Sequence, residues 1–304
     1  MLYTLFLPLT LILAFFADII RIKKFSITRG VLFLFIYLSS EIVGILSAFF
    51  IWLFYARDKD LFRQKNFILQ SKWTSFLAQA SFKLFDIKLE LEGQDEIGTG
   101  PVIVFMRHTS VADTIIPAVF ISVPNNIILR YVLKKELLFD PCLDIVGNRL
   151  KNYFVNRKSE NTAEEVKKVG LLAKDLKNGE GVLIYPEGTR FSQSKYNKII
   201  EKLKQNNDLE MLERALALKN VLPPRLGGTL ELLNNNKNAD IVFCSHTGLE
   251  GSASFSKFIN GKLINQTLKI KFWKIPFENI PTEKEQQITW LYENWQKVDS
   301  FVKN

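Results

Sequence analysis

Met1 to Ile20 reads MLYTLFLPLTLILAFFADII and holds one charged residue, Asp18, close to its end. A run of about 20 apolar residues matches the hydrocarbon thickness of a bilayer. It lacks the basic start of a secretory signal, and no small-residue cleavage site follows it. A second apolar stretch, Gly30 to Tyr55, carries one acid, Glu41, near its middle. A basic linker from Arg21 through Lys23 and Lys24 to Arg29 separates the two, and Arg57, Lys59, Arg63 and Lys65 follow the second. With basic residues on both flanks, charge does not choose an orientation. The pair reads as two crossings or as a hairpin that enters and leaves one leaflet. A buried helical hairpin of a soluble core is the plainer alternative, and membrane attachment is the reading the composition favours. Glu41 would be costly in lipid, so it is expected to be protonated, paired or turned toward the other helix. Residues 57–85 mix basic and apolar side chains and predict an amphipathic helix at the interface.

The texture changes near Ile87, which sets an expected boundary between a membrane-attached helical region, 1–85, and a catalytic domain, 86–304. IKLELEG alternates as a half-buried strand does, whereas PVIVF at 101–105 and VLIYP at 182–186 are continuous apolar runs, as in fully buried strands. DIVFCSH at 240–246 and LKIKFW at 268–273 add further strands, and helical texture fills 161–178, 198–219 and 282–303. The expected fold class is α/β: a mixed, largely parallel sheet flanked by helices, behind an N-terminal apolar helical hairpin.

Lys and Arg outnumber Asp and Glu by 40 to 31, giving a net charge of +9, which suits phosphate-bearing partners. No RNP, zinc-finger or helix-turn-helix pattern is present, so an anionic membrane accounts for the charge and nucleic acid is not an expected partner. Two histidines (His108, His246) and two cysteines (Cys142, Cys244) build neither a zinc site nor a disulfide framework. No metal is expected, and cysteine usage suits a reducing compartment. Cys142 and Cys244 read as buried fillers, and His246, with no acid at a matching offset, reads as structural.

The strand PVIVF runs into Met106-Arg107-His108-Thr109-Ser110-Val111-Ala112-Asp113. On one continuous helix a five-residue offset is about 140° around the axis, so His108 and Asp113 would face apart. If His108 lies in a loop before a helix starting near Val111, the chain folds back and the imidazole reaches the Asp113 carboxylate. That pair is a base and its orienter. Thr109 or Ser110 is then placed to cap the helix, whose first N–H groups are candidates for stabilising an oxyanion. Taken alone, a His-x4-Asp match is weak, and a structural histidine is the commoner case. After VLIYP comes Glu187-Gly188-Thr189-Arg190, a turn exposing an Arg that can clasp a phosphate bidentately; an ordinary solvated turn is the bland alternative.

In chain order, HTSVAD, KKELLFDP…VGNRLKNYFVNR, YPEGTR and VLPPR together resemble the four motif blocks of the glycerolipid acyltransferases, the 1-acyl-sn-glycerol-3-phosphate and lysophospholipid acyltransferases. The resemblance covers Val102 to Arg225, with a looser match around Trp290, Leu291 and Trp295. Four blocks in order are far more specific than any one. It implies that His108 and Asp113 are the catalytic pair. It places Glu187, Gly188, Thr189 and Arg190 on the block that binds the acceptor's phosphate, with Arg157 at the basic end of the second block. Lys134, Pro224 and Arg225 fall where the acyl donor is bound or the site is shaped. Arg107 departs from the Asn that commonly precedes the histidine, and a basic helix lengthens the stretch from Phe191 to Asn220, so a distinct subgroup is implied.

The implied enzyme is a membrane-bound acyltransferase of phospholipid biosynthesis. It moves a fatty acyl group from an acyl thioester to the free hydroxyl of lysophosphatidate, giving phosphatidate, with the catalytic domain on the cytoplasmic face. It needs no cofactor beyond acyl-CoA or acyl carrier protein as co-substrate. A thioester is already activated, so a general base suffices; no GxSxG is present, and Ser110 is more simply a cap than a nucleophile. The alternatives are an acyltransferase or transacylase for another lysophospholipid, lysocardiolipin-like, and a non-enzymatic lipid-binding protein on the same scaffold.

Overall fold

The computed structural model describes residues 2–22, 24–156 and 161–303. The two apolar stretches form helices α1 (Leu2–Arg21) and α2 (Ser26–Tyr55), which pack on each other as a hairpin. Phe25, in the N-cap position, is left-handed and offers no capping side chain. Asp18 supplies the cap from the preceding helix, accepting from the main chain of Ile27 and Thr28 and from the Thr28 hydroxyl at 2.7–3.1 Å. The one charge in the first apolar run therefore closes the hairpin. α2 is long and apolar enough to cross a membrane by length and composition. Its second half exposes Ile42, Val43, Phe49, Phe50, Leu53 and Phe54, and α1 exposes a similar set.

The opposite face of α2 packs on the rest of the chain. Glu41 is buried there, accepting the N–H of Cys142 at 3.1 Å at the start of helix Pro141–Arg149, so it is paired as expected. Tyr37 bonds Asp140, the N-cap of that same helix. Helix α3 (Lys59–Phe85) continues this attachment through Arg63, which pairs with Glu180. The helical region and the domain thus share one interior.

The sheet has seven strands in the order β1-β7-β6-β2-β5-β3-β4. These are β1 (Lys88–Glu92), β2 (Val102–Met106), β3 (Ile128–Lys134), β4 (Tyr153–Val155), β5 (Glu180–Ile184), β6 (Asp240–Thr247) and β7 (Thr267–Ile275). All neighbours are parallel except β6 and β7. The central β2 is buried on both faces, which is why VIVFM is apolar throughout. Val102, Val104 and Met106 face one core with Phe85 and Phe120; Ile103 and Phe105 face another with Phe243 and Trp295. β7 alternates, burying Leu268, Ile270 and Phe272 while Lys269 and Lys271 meet Glu90 and Glu92 of the edge strand β1. The final helix, Lys284–Lys303, covers the second core. From it, Trp295 donates to the Leu222 carbonyl and Asp299 accepts the N–H groups of Lys219, Asn220 and Val221. The aromatic tail therefore fixes the loop that carries VLPPR.

Candidate active site

The C-terminal ends of β2, β5 and β3 lie side by side, and the segments leaving them, with residues 162–169 and 225–229, line a cleft of about 340 Å³. His108 stands in the loop after β2. Its Nδ1 is 3.0 Å from Asp113 Oδ1, and its ring lies 4.4 Å from that of Tyr185, centroid to centroid. The fold-back expected from the spacing is present, but its local form differs. Residues after Val111 make one 3₁₀ turn, Ala112–Ile115, then a π-helical segment, Ala118–Ser122, rather than a regular helix. Neither Thr109 nor Ser110 caps it. Instead Asp113 Oδ2 reaches backward and accepts the N–H groups of Thr109 at 2.6 Å and Ser110 at 2.8 Å. Those two donors are spent on the carboxylate, which corrects their assignment as oxyanion candidates. Ser110 Oγ is buried with no hydrogen-bond partner among the described residues.

Asp113 is fully buried. Burial alone would raise its pKa. The hydrogen bond from His108, the nearby His246 and the Ser110 N–H outweigh that and hold it below the ordinary carboxylate range. With Nδ1 engaged, Nε2 is the ring nitrogen of His108 left for the cleft, which His108 lines.

The YPEGTR loop wraps the histidine. Glu187 Oε1 accepts the His108 N–H at 2.8 Å, and the Phe191 N–H donates to the His108 carbonyl at 3.0 Å. Glu187 is buried and does not line the cleft; its second oxygen accepts the Leu222 N–H at 3.0 Å. Two occupied carboxylate oxygens and a buried position make it a tie between loops, not a group that meets an anionic phosphate. Burial, opposed by those two N–H groups, pushes its pKa up to about 7. Thr189 also stands outside the cleft lining, its hydroxyl accepting from Lys195 at 3.0 Å, while the same ammonium donates to the Arg190 carbonyl.

Gly188, Arg190, Arg225 and Lys134 all line the cleft with His108. Gly188 has φ +65, and a Cβ there would stand 2.7 Å from Arg225 Cδ, so the turn and the arginine need a glycine. Arg225 is positioned by its N–H, which donates to the Pro186 carbonyl at 2.8 Å. Pro224 is buried behind it. Arg157 lies outside the described residues. Arg107, whose identity departs from the resembled pattern, points away from the cleft: it is buried and donates to the His246 carbonyl and to Glu250 at 2.9 Å. Among the described residues no group of His, Cys, Asp and Glu could hold a metal ion.

A second, apolar cavity of about 470 Å³ lies between α2, α3 and the sheet. It is lined by Phe33, Trp73, Leu77 and Phe82 and shares Val111, Thr114, Leu133, Leu137 and Tyr185 with the cleft. One residue was not legible as part of the site. His246, at the end of β6, is fully buried with Nε2 3.7 Å from Asp113 Oδ2.

Residues 88–221 match the model of a family described as Acyltransferase. The chain is 22% identical over 303 residues to a 1-acyl-sn-glycerol-3-phosphate acyltransferase delta from Rattus norvegicus, covering 93% of this chain and 75% of that one. It is 27% identical over 175 residues to the delta protein of Bos taurus, covering 57% of this chain and 44% of that one. The chain thus spans less than half the length of the cattle relative it matches. The crystal structure of a 1-acyl-sn-glycerophosphate (LPA) acyltransferase from Thermotoga maritima superposes with a TM-score of 0.61, at 15% identity, over 92% of this chain and 98% of that one, a likeness of fold.

Proposed function

Because this chain belongs to the glycerolipid acyltransferase family, we propose that it esterifies the free hydroxyl of lysophosphatidate with a fatty acyl group from acyl-CoA or acyl carrier protein, giving phosphatidate. The observation that carries this reading is one cleft lined by His108, with the buried Asp113 behind its ring, together with Arg190, Arg225 and Lys134.

In the proposed reaction the acceptor hydroxyl gives its proton to His108 Nε2 as its oxygen attacks the thioester carbonyl. Asp113, ionised and fixed by two main-chain N–H groups, holds the Nδ1–H tautomer and stabilises the imidazolium. The tetrahedral intermediate then expels the sulfur, which leaves as the thiol with the proton returned from His108. The bond formed is C–O, the bond broken C–S, and the base ends as it began. Arg190, with Arg225 beside Gly188, supplies the cationic wall for the acceptor's phosphate. The apolar cavity that opens through Val111, Leu133 and Tyr185 suits an acyl chain, whose burial is worth about 0.8 kcal/mol per methylene. The exposed apolar faces of α1 and α2 suit attachment to an anionic membrane, with the domain on the cytoplasmic side where thioester donors are made.

The test is His108→Ala, assayed in membranes with a panel of lysolipids and both donors, the products read by mass spectrometry. The proposal expects phosphatidate from wild type and a rate lower by roughly two to four powers of ten in the variant. Wild-type turnover by the variant would overturn the base assignment. A different lysolipid as the favoured acceptor would overturn the substrate.

A further inference from the structure

His246 and Arg107 are bound to each other twice: the His246 Nε2 lies 3.1 Å from the Arg107 carbonyl, and the Arg107 guanidinium donates to the His246 carbonyl. A carbonyl only accepts, so Nε2 carries the ring proton. The same Nε2 lies 3.7 Å from Asp113 Oδ2, beyond hydrogen-bond reach but close enough to act on it electrostatically. Nδ1 has no hydrogen-bond partner among the described residues. His246 is enclosed, and burial with the neighbouring Arg107 drives its pKa down to about 4 despite the opposing pull of Asp113. It therefore presents a fixed N–H dipole with no charge at neutral pH.

We propose that His246 is a positioning residue for acyl transfer, its neutral Nε2–H locking the peptide before His108 and tempering the pull of the Asp113 carboxylate on the His108 proton. The inference rests on the reading of His108 as the base. Asp113 already receives the Thr109 and Ser110 N–H groups on the oxygen that His246 approaches. Removing the third positive end leaves a more negative field at His108, so the imidazolium becomes easier to form and harder to discharge. Arg107 and Glu250 form the outer side of the same arrangement, 2.9 Å apart. They hold a guanidinium against His246, which disfavours its protonation and keeps it from competing with His108 as a cation for Asp113.

Other titratable groups face Asp113 as well. Cys244 comes from β6, and Tyr185 and Glu187 come from the loop after β5. Burial keeps the Cys244 thiol and Tyr185 phenol protonated. Burial pushes the Glu187 pKa up to about 7, and because Glu187 makes no hydrogen bond with His246, a difference between wild type and a His246 variant reads His246.

The experiment compares wild type, His108→Ala, His246→Leu and His246→Gln as full-length protein in membranes, measuring kcat, both KM values and the pH profile of kcat/KM. For His246→Leu the expected result is a fall in kcat of about tenfold with both KM values unchanged, and an acid limb moved upward by about half a pH unit. Gln places an amide N–H near the position of Nε2 and is expected to restore the wild-type midpoint. A Leu variant with the wild-type midpoint, or Leu and Gln variants shifted equally, overturns the proposal. An inactive wild type overturns the function itself, so the two failures are distinct. If His246→Leu does not fold, wild type still decides. The chain has two histidines, and ¹⁵N-histidine spectra compared with His108→Ala isolate the His246 ring. A neutral Nε2–H tautomer throughout pH 5–8 supports the proposal, and an imidazolium or an Nδ1–H tautomer refutes it.

Discussion

The carboxylate of Glu187 holds the main-chain N–H of His108 at 2.8 Å while its other oxygen holds that of Leu222. Glu187→Gln turns an NH₂ toward one of two donors and leaves an N–H unpaired in a buried place, a cost of about 1–3 kcal/mol. The expected outcome is a lower melting temperature and a lower kcat, with acceptor KM little changed because Glu187 does not line the cleft. The folded-state pKa, about 7, lies above the ordinary 4.5, so the folded state binds the extra proton between those values. The contribution is full below pH 4.5 and is lost as pH rises through 7. Melting curves should show the advantage of wild type over the Gln variant shrinking across that window and levelling above it.

Asp113→Asn keeps an oxygen for the Thr109 and Ser110 N–H groups but offers His108 an N–H where it had an acceptor. The imidazole then turns over its tautomer and carries its proton on Nε2, where a base must be bare. A loss of roughly 10³–10⁴ in kcat is expected, with KM values near wild type. Steady-state kinetics decide it: a small loss would mean that Asp113 does not set the tautomer.

Gly188→Ala meets two obstacles, a left-handed backbone and the Arg225 side chain 2.7 Å from the new methyl. The backbone term is worth about 1–2 kcal/mol. Displacing Arg225 should also raise a KM, and comparing acceptor and donor KM identifies which substrate that arginine serves.

Arg190→Ala should raise the acceptor KM roughly 10- to 100-fold, the worth of a charge-assisted hydrogen bond, and the donor KM much less. Arg190→Lys should recover only part, since an ammonium cannot clasp two phosphate oxygens in a plane. Equal effects on both KM values would argue against a phosphate clamp.

How much of this could be read beforehand depended on how local the cause was. VIVFM and IVFCSH are buried on both faces, so the apolar run itself announces the strand. β3 carries no such unbroken apolar run, because Arg130 interrupts it. That charge is tolerated only because Glu180 of β5 pairs with it and the Leu172 and Lys174 carbonyls accept from it, partners that no local pattern displays. The meeting of His108 and Asp113 was legible because helical geometry forbids it and a loop permits it. The arrival of His246 was not, since it follows from β6 pairing with β2 and bonding Arg107 across 139 residues. EGTR announced a turn, yet nothing in the tetrapeptide says that Glu187 faces inward while Arg190 faces the cleft. Thr109 and Ser110 have capping side chains, but a carboxylate three and four residues on took their N–H groups first.

Helix α2 serves two masters. One flank, through Phe33 and Tyr37, is a wall of the apolar cavity, and the other is bare hydrocarbon from Ile42 to Phe54. A rod shared in this way cannot be pulled outward without breaching the chamber it encloses. In the proposed setting, immersion depth and the height of the imidazole above the lipid are therefore a single dimension, set by the register of α2 against Asp140 and Cys142.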